Sequence, residues 1–195
     1  MDDLTSLLEA ASRGDHEAFD RAYALVYDEL RGLAHAQRAR WEGQETLNTT
    51  ALVHEAYLKL AAWTGADWNG RGHLLGMASR AMRQVLVTYA ERWQAVKRGG
   101  DREHLPLSSD QLPGVAPQAA EETLAVHRAL ERLERIDPRQ VRVVECRFFA
   151  GLSIPETAEA VGVSPATVKR DWRLACAWLR RELAGLAEAG VQGPS

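Results

Sequence analysis

Residues 151–183, GLSIPETAEAVGVSPATVKRDWRLACAWLRREL, decide how the C-terminal part of this chain folds. Ser153 and Glu156 have the spacing of a capping box, which marks the start of a helix. Gly162 supplies a residue that tolerates positive φ at a tight turn, and Ser164, followed by a proline, marks the start of a second helix. A short helix, a glycine turn and a longer helix predict a helix-turn-helix, a motif that commonly binds DNA.

The second helix of this motif separates an apolar stripe from a cationic face. At about 100° per residue, one side collects Val168, Trp172, Ala175 and Leu179. The opposite side collects Ala166, Lys169, Arg170, Arg173, Ala177 and Arg180. Cations among small residues can approach a groove closely and neutralise phosphates, so we predict DNA contacts from this face and from Ser164 and Thr167 in the first turn. The alternative is an ordinary surface helix whose Lys and Arg side chains are solvated.

The distribution of charge along the chain suits a protein that binds a protein partner as well as DNA. The chain has 195 residues, 46% of them hydrophobic, and a formal net charge of −3, which argues weakly against a free-standing DNA-binding protein. Acidic residues dominate positions 1–30, whereas basic residues dominate 135–183. This asymmetry suits a protein whose acidic N-terminal part binds a protein and whose basic C-terminal part binds nucleic acid. It also suits a weak affinity for DNA when the protein is alone.

Several functional classes find no support in the sequence. There is no apolar run near twenty residues and no signal-peptide pattern at the N-terminus, so we expect a cytoplasmic protein without a membrane span. Cys146 and Cys176 are predicted to be free thiols, and neither a metal site nor a cofactor is expected. The pair His54-Glu55 is not followed by the second histidine of a zinc helix, and no catalytic set can be assembled, so we predict no enzymatic activity.

Helical periodicity extends along almost the whole chain and no β-pattern is present, which predicts an all-α fold. Helices are expected over 15–39, from about 48 to 63 and over 73–96. The segment DREHLPLSSDQLPGVAPQAA contains three prolines and no helical period, which indicates a linker. The predicted organisation is a helical domain over 1–100, a flexible linker over 101–120, a helix-turn-helix domain over 121–185 and a frayed tail over 186–195.

The helix predicted over 73–96 carries a second group of residues suited to nucleic acid. Opposite its apolar stripe lie Arg80, Arg83, Gln84 and Thr88, which offer groups for phosphate and base-edge contacts. The preceding loop adds Trp68, Asn69 and Arg71, which could stack on or hydrogen-bond to an unpaired base. The alternative is that the indole fills a helix junction and the arginines are solvated.

With both halves considered, the chain resembles bacterial RNA polymerase sigma factors of the extracytoplasmic-function (ECF) group over roughly residues 10–185. TTALVHEAYLKLAAW (49–63) is similar to the core-binding helix of that family, although Thr50 and Ala51 stand where the family often has acids. HLLGMASRAMRQVLVTYAERWQAVKRGG (73–100) resembles its promoter-melting segment, and ATVKRDWRLACAWLRREL (166–183) resembles its recognition helix.

The resemblance implies a role for each group of residues. The polymerase-binding surface would include Leu52, Val53, Glu55, Tyr57 and Leu58. The minus-ten element would be engaged by Trp68, Asn69, Arg71, Arg80, Arg83, Gln84 and Thr88. The minus-thirty-five duplex would be contacted by the helix-turn-helix face described above. Core RNA polymerase and promoter DNA are the implied partners, an anti-sigma factor is a further one, and the free protein is expected to be a monomer.

Two other readings of the same residues stay open. One is a stand-alone helix-turn-helix regulator whose N-terminal helices sense a ligand or dimerise; it should bind a palindromic site tightly without polymerase. The other is a sigma-like protein that has lost promoter activity and serves as an interaction module, which the loss of acids near Thr50 would suit.

Overall fold

A computed structural model describes residues 3–39, 41, 48–63, 67–97 and 117–191, and within these ranges the ordered elements are all helical, which confirms the all-α prediction. The helices are α1 Leu4–Ser12, α2 His16–Leu25, α3 Tyr27–Arg38, α4 Thr49–Ala61, α5 Gly70–Lys97, α6 Pro117–Ile136, α7 Pro138–Val144, α8 Ile154–Val161 and α9 Pro165–Val191. A π-helical turn, Glu145–Phe149, follows α7 directly. None of the described helices is both long enough and apolar enough to cross a membrane.

The first five helices pack together around α5, and we refer to them as the N-terminal domain. Its fully buried side chains come from every part of the domain and include Leu8, Leu30, Trp41, Leu52, Leu60, Leu74 and Met82. Asn48 caps α4, because its side chain accepts a hydrogen bond from the Ala51 backbone N–H at 2.8 Å. The Tyr23 hydroxyl donates to the Val53 carbonyl oxygen at 2.9 Å, which joins α2 to α4.

Helices α6 to α9, which we refer to as the C-terminal domain, enclose two small apolar cores. One core contains Leu130, Leu133, Val141, Val144 and Ala175, and the other contains Val143, Ala158 and Val168. The capping box of Ser153 and Glu156 is present in both directions, as predicted. Gly162 ends α8 in the left-handed conformation at φ 74°, and the Ser164 Oγ accepts from the Thr167 backbone N–H at 3.2 Å. A short helix, a left-handed glycine and a longer helix thus follow one another, and their assignment to a helix-turn-helix stays a prediction.

Some helix boundaries differ from the sequence-based ones. The helix expected over 15–39 is interrupted at Val26, whose side chain turns into the core while its backbone leaves the helical region. Helix α6 begins at Pro117, so the last four residues assigned to the linker are helical, with proline at the first position, where its missing N–H costs nothing. Helix α9 continues to Val191, into the expected tail. Residues 101–116 and 192–195 lie outside the described ranges.

The two domains pack against each other through α5. Helix α5 contacts α6, the π-helical turn and α8. The buried apolar cluster of the N-terminal domain continues without a break into Cys146, Ala150, Leu152 and Ala160 of the C-terminal domain. The sequence did not determine this placement, which bears directly on the residues expected to contact DNA.

Substituting Gly162 tests the turn between α8 and α9. A Cβ at this position meets no atom within 4 Å, so the cost of Gly162→Ala comes from the left-handed backbone alone. We expect Gly162→Ala to lower the free energy of unfolding by about 1–2 kcal/mol, and Gly162→Asn to lower it less. Urea unfolding followed by circular dichroism measures this. Gly185→Ala, at an equally open site in α9, is the control; equal effects at both glycines would contradict the assignment.

Candidate nucleic-acid interface

The two faces of α9 separate as the sequence predicted. Val168 and Ala175 are fully buried, and Trp172 and Leu179 pack partly buried against the domain cores. The other side of the helix is exposed and carries Ala166, Lys169, Arg170, Arg173, Ala177 and Arg180. Ser164 and Thr167 lie at the start of this face, where their hydroxyl oxygens are 2.9 Å apart. The result is a cationic surface, open to solvent, on a helix whose other side is held by the core.

Trp172 belongs to the interior of the C-terminal domain. It packs between the two apolar cores, and the guanidinium of Arg147 lies 5.7 Å from the centre of its ring. The Arg147 side chain also donates to the backbone carbonyl oxygen of Leu152, which ties the π-helical turn to the segment that precedes α8. A cation above an indole face is favourable, so this contact helps to fix the angle between α9 and the rest of the domain.

Asp171 organises two cations beside this face, a feature that the sequence analysis missed. Its side chain is only 2% exposed, and its Oδ2 accepts from Arg139 Nε at 2.6 Å. The Oδ1 atom lies 3.4 Å from Arg170 Nε. Arg139 therefore joins the α9 cations at one edge of the surface although it belongs to α7. The sequence separation of 32 residues hid the pair, and the available signal was an acid that stands between Arg170 and Arg173 in the sequence.

The C-terminal domain covers Arg83 of α5 and part of Arg80, whereas Arg71 and Arg92 of the same helix are exposed. Arg83 is 7% exposed, and its two terminal nitrogens contact Glu145 Oε1 at 2.8 Å and His127 Nδ1 at 3.0 Å. Arg80 donates to Glu134 Oε1 at 2.9 Å. Burial lowers the pKa of His127 below its ordinary value, so the neutral ring can accept a hydrogen bond from Arg83.

The acid that meets Arg83 is itself deeply buried. Burial has the largest effect on the Glu145 carboxyl and raises its pKa, whereas the nearby guanidiniums of Arg83 and Arg80 act to lower it. The adjacent Cys146 thiol is also buried, and burial raises its pKa to about 12. Both groups therefore lie in a low-dielectric layer between the domains, where a charge needs a partner.

The remaining residues of the expected minus-ten group are divided between interior and surface. Trp68 is 6% exposed and its ring lies 5.2 Å from that of Phe19, so the indole fills a helix junction. Gln84 and Thr88 are half-buried, and the Thr88 hydroxyl donates to the Gln84 carbonyl oxygen at 3.0 Å. Asn69 is exposed, and so is the adjoining Arg71, which pairs with Glu29 and, at 3.2 Å, with Glu156.

The residues of α4 that are expected to bind polymerase are also divided between the interior and the surface. Leu52 and Val53 are buried in the core, where they hold the helix in place. Tyr57 is half-buried and its hydroxyl donates to Asp20 Oδ1 at 2.7 Å. Glu55 is exposed and Leu58 is 49% exposed, which places an acid and an apolar side chain on the outer surface of the helix.

Comparisons with known proteins relate the chain to one family. A family model described as ECF sigma factor matches residues 1–185. The chain is 26% identical over 185 residues to the ECF RNA polymerase sigma factor SigK of Mycobacterium ulcerans, with 92% of each chain covered. It is 35% identical over 109 residues to the RNA polymerase sigma-E factor of Streptomyces avermitilis, which covers 55% of this chain and 58% of the relative. The Streptomyces coelicolor sigma-E factor is 36% identical over 109 residues.

The pair formed by Arg139 and Asp171 is testable by comparing two arginine substitutions. Arg139→Ala removes the short contact to a buried carboxylate, so we expect the thermal unfolding midpoint to fall by several degrees. Arg170→Ala removes a longer contact made by an exposed side chain and should change the midpoint little. Differential scanning calorimetry of both variants is the measurement. Equal shifts would show that Asp171 does not depend on Arg139.

Proposed function

Since the chain belongs to the ECF sigma factor family, we propose that it directs core RNA polymerase to specific promoters by contacting a minus-ten and a minus-thirty-five element. A member of this family is an initiation factor and not an enzyme. The observation that carries the promoter-contact proposal is the exposed cationic face of α9, held by a buried stripe on a helix-turn-helix. The protein would act in the cytoplasm, where polymerase and promoter DNA are found.

The minus-thirty-five contact is assigned to the face of α9. Lys169, Arg170 and Arg173 would neutralise phosphates, and the small side chain of Ala166 would let the helix approach the base edges closely. Ser164 and Thr167 would bring the N-terminus of the helix against the DNA backbone, with Arg180 further along the same face. Arg139, held beside α9 by Asp171, adds a cation at the edge of this surface.

The minus-ten contact is assigned to the loop before α5 and to the α5 face. Asn69 and Arg71 are at the surface, Gln84 and Thr88 are half-buried, and Arg80 and Arg83 contact the C-terminal domain. The buried Trp68 would act by holding the loop in position through its contact with Phe19. On this proposal the α5 residues reach DNA only when the domains move apart.

Core polymerase would be bound by the outer surface of α4. Glu55 and Leu58 offer the accessible acid and apolar contact, and Leu52, Val53 and Tyr57 hold that surface in place from inside the domain. An anti-sigma factor would be a further partner, and we propose that the free chain is a monomer.

The charge of Arg173 should appear in the salt dependence of duplex binding. We expect Arg173→Ala to weaken binding to a minus-thirty-five duplex and to reduce the slope of log K against log salt by about one unit, since one phosphate contact is lost. Fluorescence anisotropy across a salt series measures the slope. Arg31→Ala removes an exposed cation from α3 and serves as the control; an unchanged slope for Arg173→Ala would remove it from the phosphate contacts.

Copurification with core polymerase tests the proposed function itself. The parent protein should bind core polymerase and support specific initiation when its transcripts are sequenced. Glu55→Lys should reduce association by about tenfold or more, because it reverses the exposed charge of α4 without touching the core. Glu9→Lys, an exposed reversal on α1, is the matched control. Failure of the parent protein to bind core polymerase or to initiate would contradict the proposal.

A further inference from the structure

A cavity of about 370 Å³ lies where α3, α5, α6, α9 and the π-helical turn come together. Its wall is mostly apolar, and the larger apolar side chains in it are Trp41, Leu86, Val126, Phe148, Phe149 and Leu183. Cavities that hold small organic ligands have volumes of roughly 300–1,000 Å³ and apolar walls with a few polar groups. The volume and the lining of this cavity therefore match those of a small-molecule site.

The π-helical turn supplies two aromatic side chains to the wall. The rings of Phe148 and Phe149 have centres 5.1 Å apart and an interplanar angle of 83°. Phe148 is 61% exposed and lies at the rim of the cavity, whereas Trp41 is fully buried and belongs to its inner wall. A π-helical turn departs from regular α-helical hydrogen bonding and is found frequently at functional sites. The cavity thus offers aromatic surface from its rim to its inner wall.

Two polar side chains of the wall each keep one buried atom without a hydrogen-bond partner among the described residues. These atoms are Gln37 Oε1, an acceptor, and Arg83 Nε, a donor. Gln37 Nε2 donates to the Ser79 carbonyl oxygen at 3.2 Å, and Ser79 precedes Arg83 by one turn on the same side of α5. A buried donor or acceptor without a partner costs free energy, so a molecule that supplies both partners gains affinity.

The charges around the cavity favour an uncharged molecule. The guanidinium of Arg83 is already paired with Glu145 Oε1 at 2.8 Å, and its Cζ lies 5.8 Å from the centre of the Phe149 ring. An anion would therefore enter an apolar cavity whose cation already has a partner, which is unfavourable. The exposed Glu122 also lines the cavity and adds a negative charge at its edge.

We propose that this cavity binds a small, uncharged and largely aromatic molecule that carries one group able both to accept and to donate a hydrogen bond, such as a carboxamide or a lactam. Arg83 Nε donates to the carbonyl oxygen of that group, and Gln37 Oε1 accepts from its N–H. The aromatic part lies between Trp41 and the two phenylalanines of the π-helical turn. The proposal rests on the cavity alone and does not depend on the promoter and polymerase assignments.

Isothermal titration calorimetry of the whole chain with three naphthalenes tests the site and the class of molecule. The probes are naphthamide, naphthoate and methylnaphthalene, all substituted at the same ring position. We expect naphthamide to bind with one-to-one stoichiometry and about tenfold or more tighter than the other two, because it alone is uncharged and satisfies both unpaired atoms. Equal affinities for the three probes would overturn the assigned chemistry, and an absence of saturable naphthamide binding would overturn the site.

An alanine of α3 allows the cavity to be filled. Ala36 lines the cavity and is itself exposed, so Ala36→Trp adds an indole at the site without entering the core. We expect this variant to weaken naphthamide binding by about tenfold or more. Ala24→Trp, at an exposed alanine of α2 that does not line the cavity, is the matched control and should bind as the parent does. Circular dichroism checks that both variants fold; unchanged binding in a folded Ala36→Trp protein would overturn the proposal.

The polar contact has a test of its own. Gln37→Met keeps the length of the side chain but removes Oε1, so it should weaken naphthamide binding by about tenfold and leave methylnaphthalene binding unchanged. Equal losses for both probes would overturn the hydrogen bond assigned to Gln37. A dimer in sedimentation velocity that Ala36→Trp abolishes would assign the cavity to a second copy of the chain, and would overturn the small-molecule proposal.

Discussion

The buried ion pair between Arg83 and Glu145 is the interaction on which the arrangement of this molecule depends. A guanidinium and a carboxylate taken out of water are tolerated only when each satisfies the other, and here they come from different domains. The neutral ring of His127 accepts a second hydrogen bond from the same guanidinium. The pair therefore specifies which surfaces of the two domains meet.

This contact gives one helix a place in both halves of the molecule. Helix α5 supplies the apolar centre of the N-terminal domain through residues such as Leu74 and Met82. Its other side carries Arg80 and Arg83, whose charges are met by Glu134 and Glu145 of the C-terminal domain. A charged side chain that already has a partner must lose that partner before it binds another.

The helix-turn-helix shows how far local sequence can predict structure. Ser153, Glu156, Gly162 and Ser164 act on backbone groups within four residues of themselves, so their roles could be inferred without knowledge of the fold. The position of Trp172 followed from helical periodicity in the same way. Trp68 did not follow, because its environment is made by Phe19, which lies far away in sequence and next to it in space.

The sequence by itself determined the helical class, the caps of α8 and α9, and the separation of α9 into a buried stripe and a cationic face. Each of these depends on interactions between residues at most a few turns apart. Only the tertiary structure decided that Arg83 is buried, that Asp171 holds Arg139, and that α5 lies beneath the C-terminal domain. Arg83 and its partner Glu145 are 62 residues apart in sequence, and Arg139 and Asp171 are 32 residues apart. No periodicity within one helix encodes pairings over such distances.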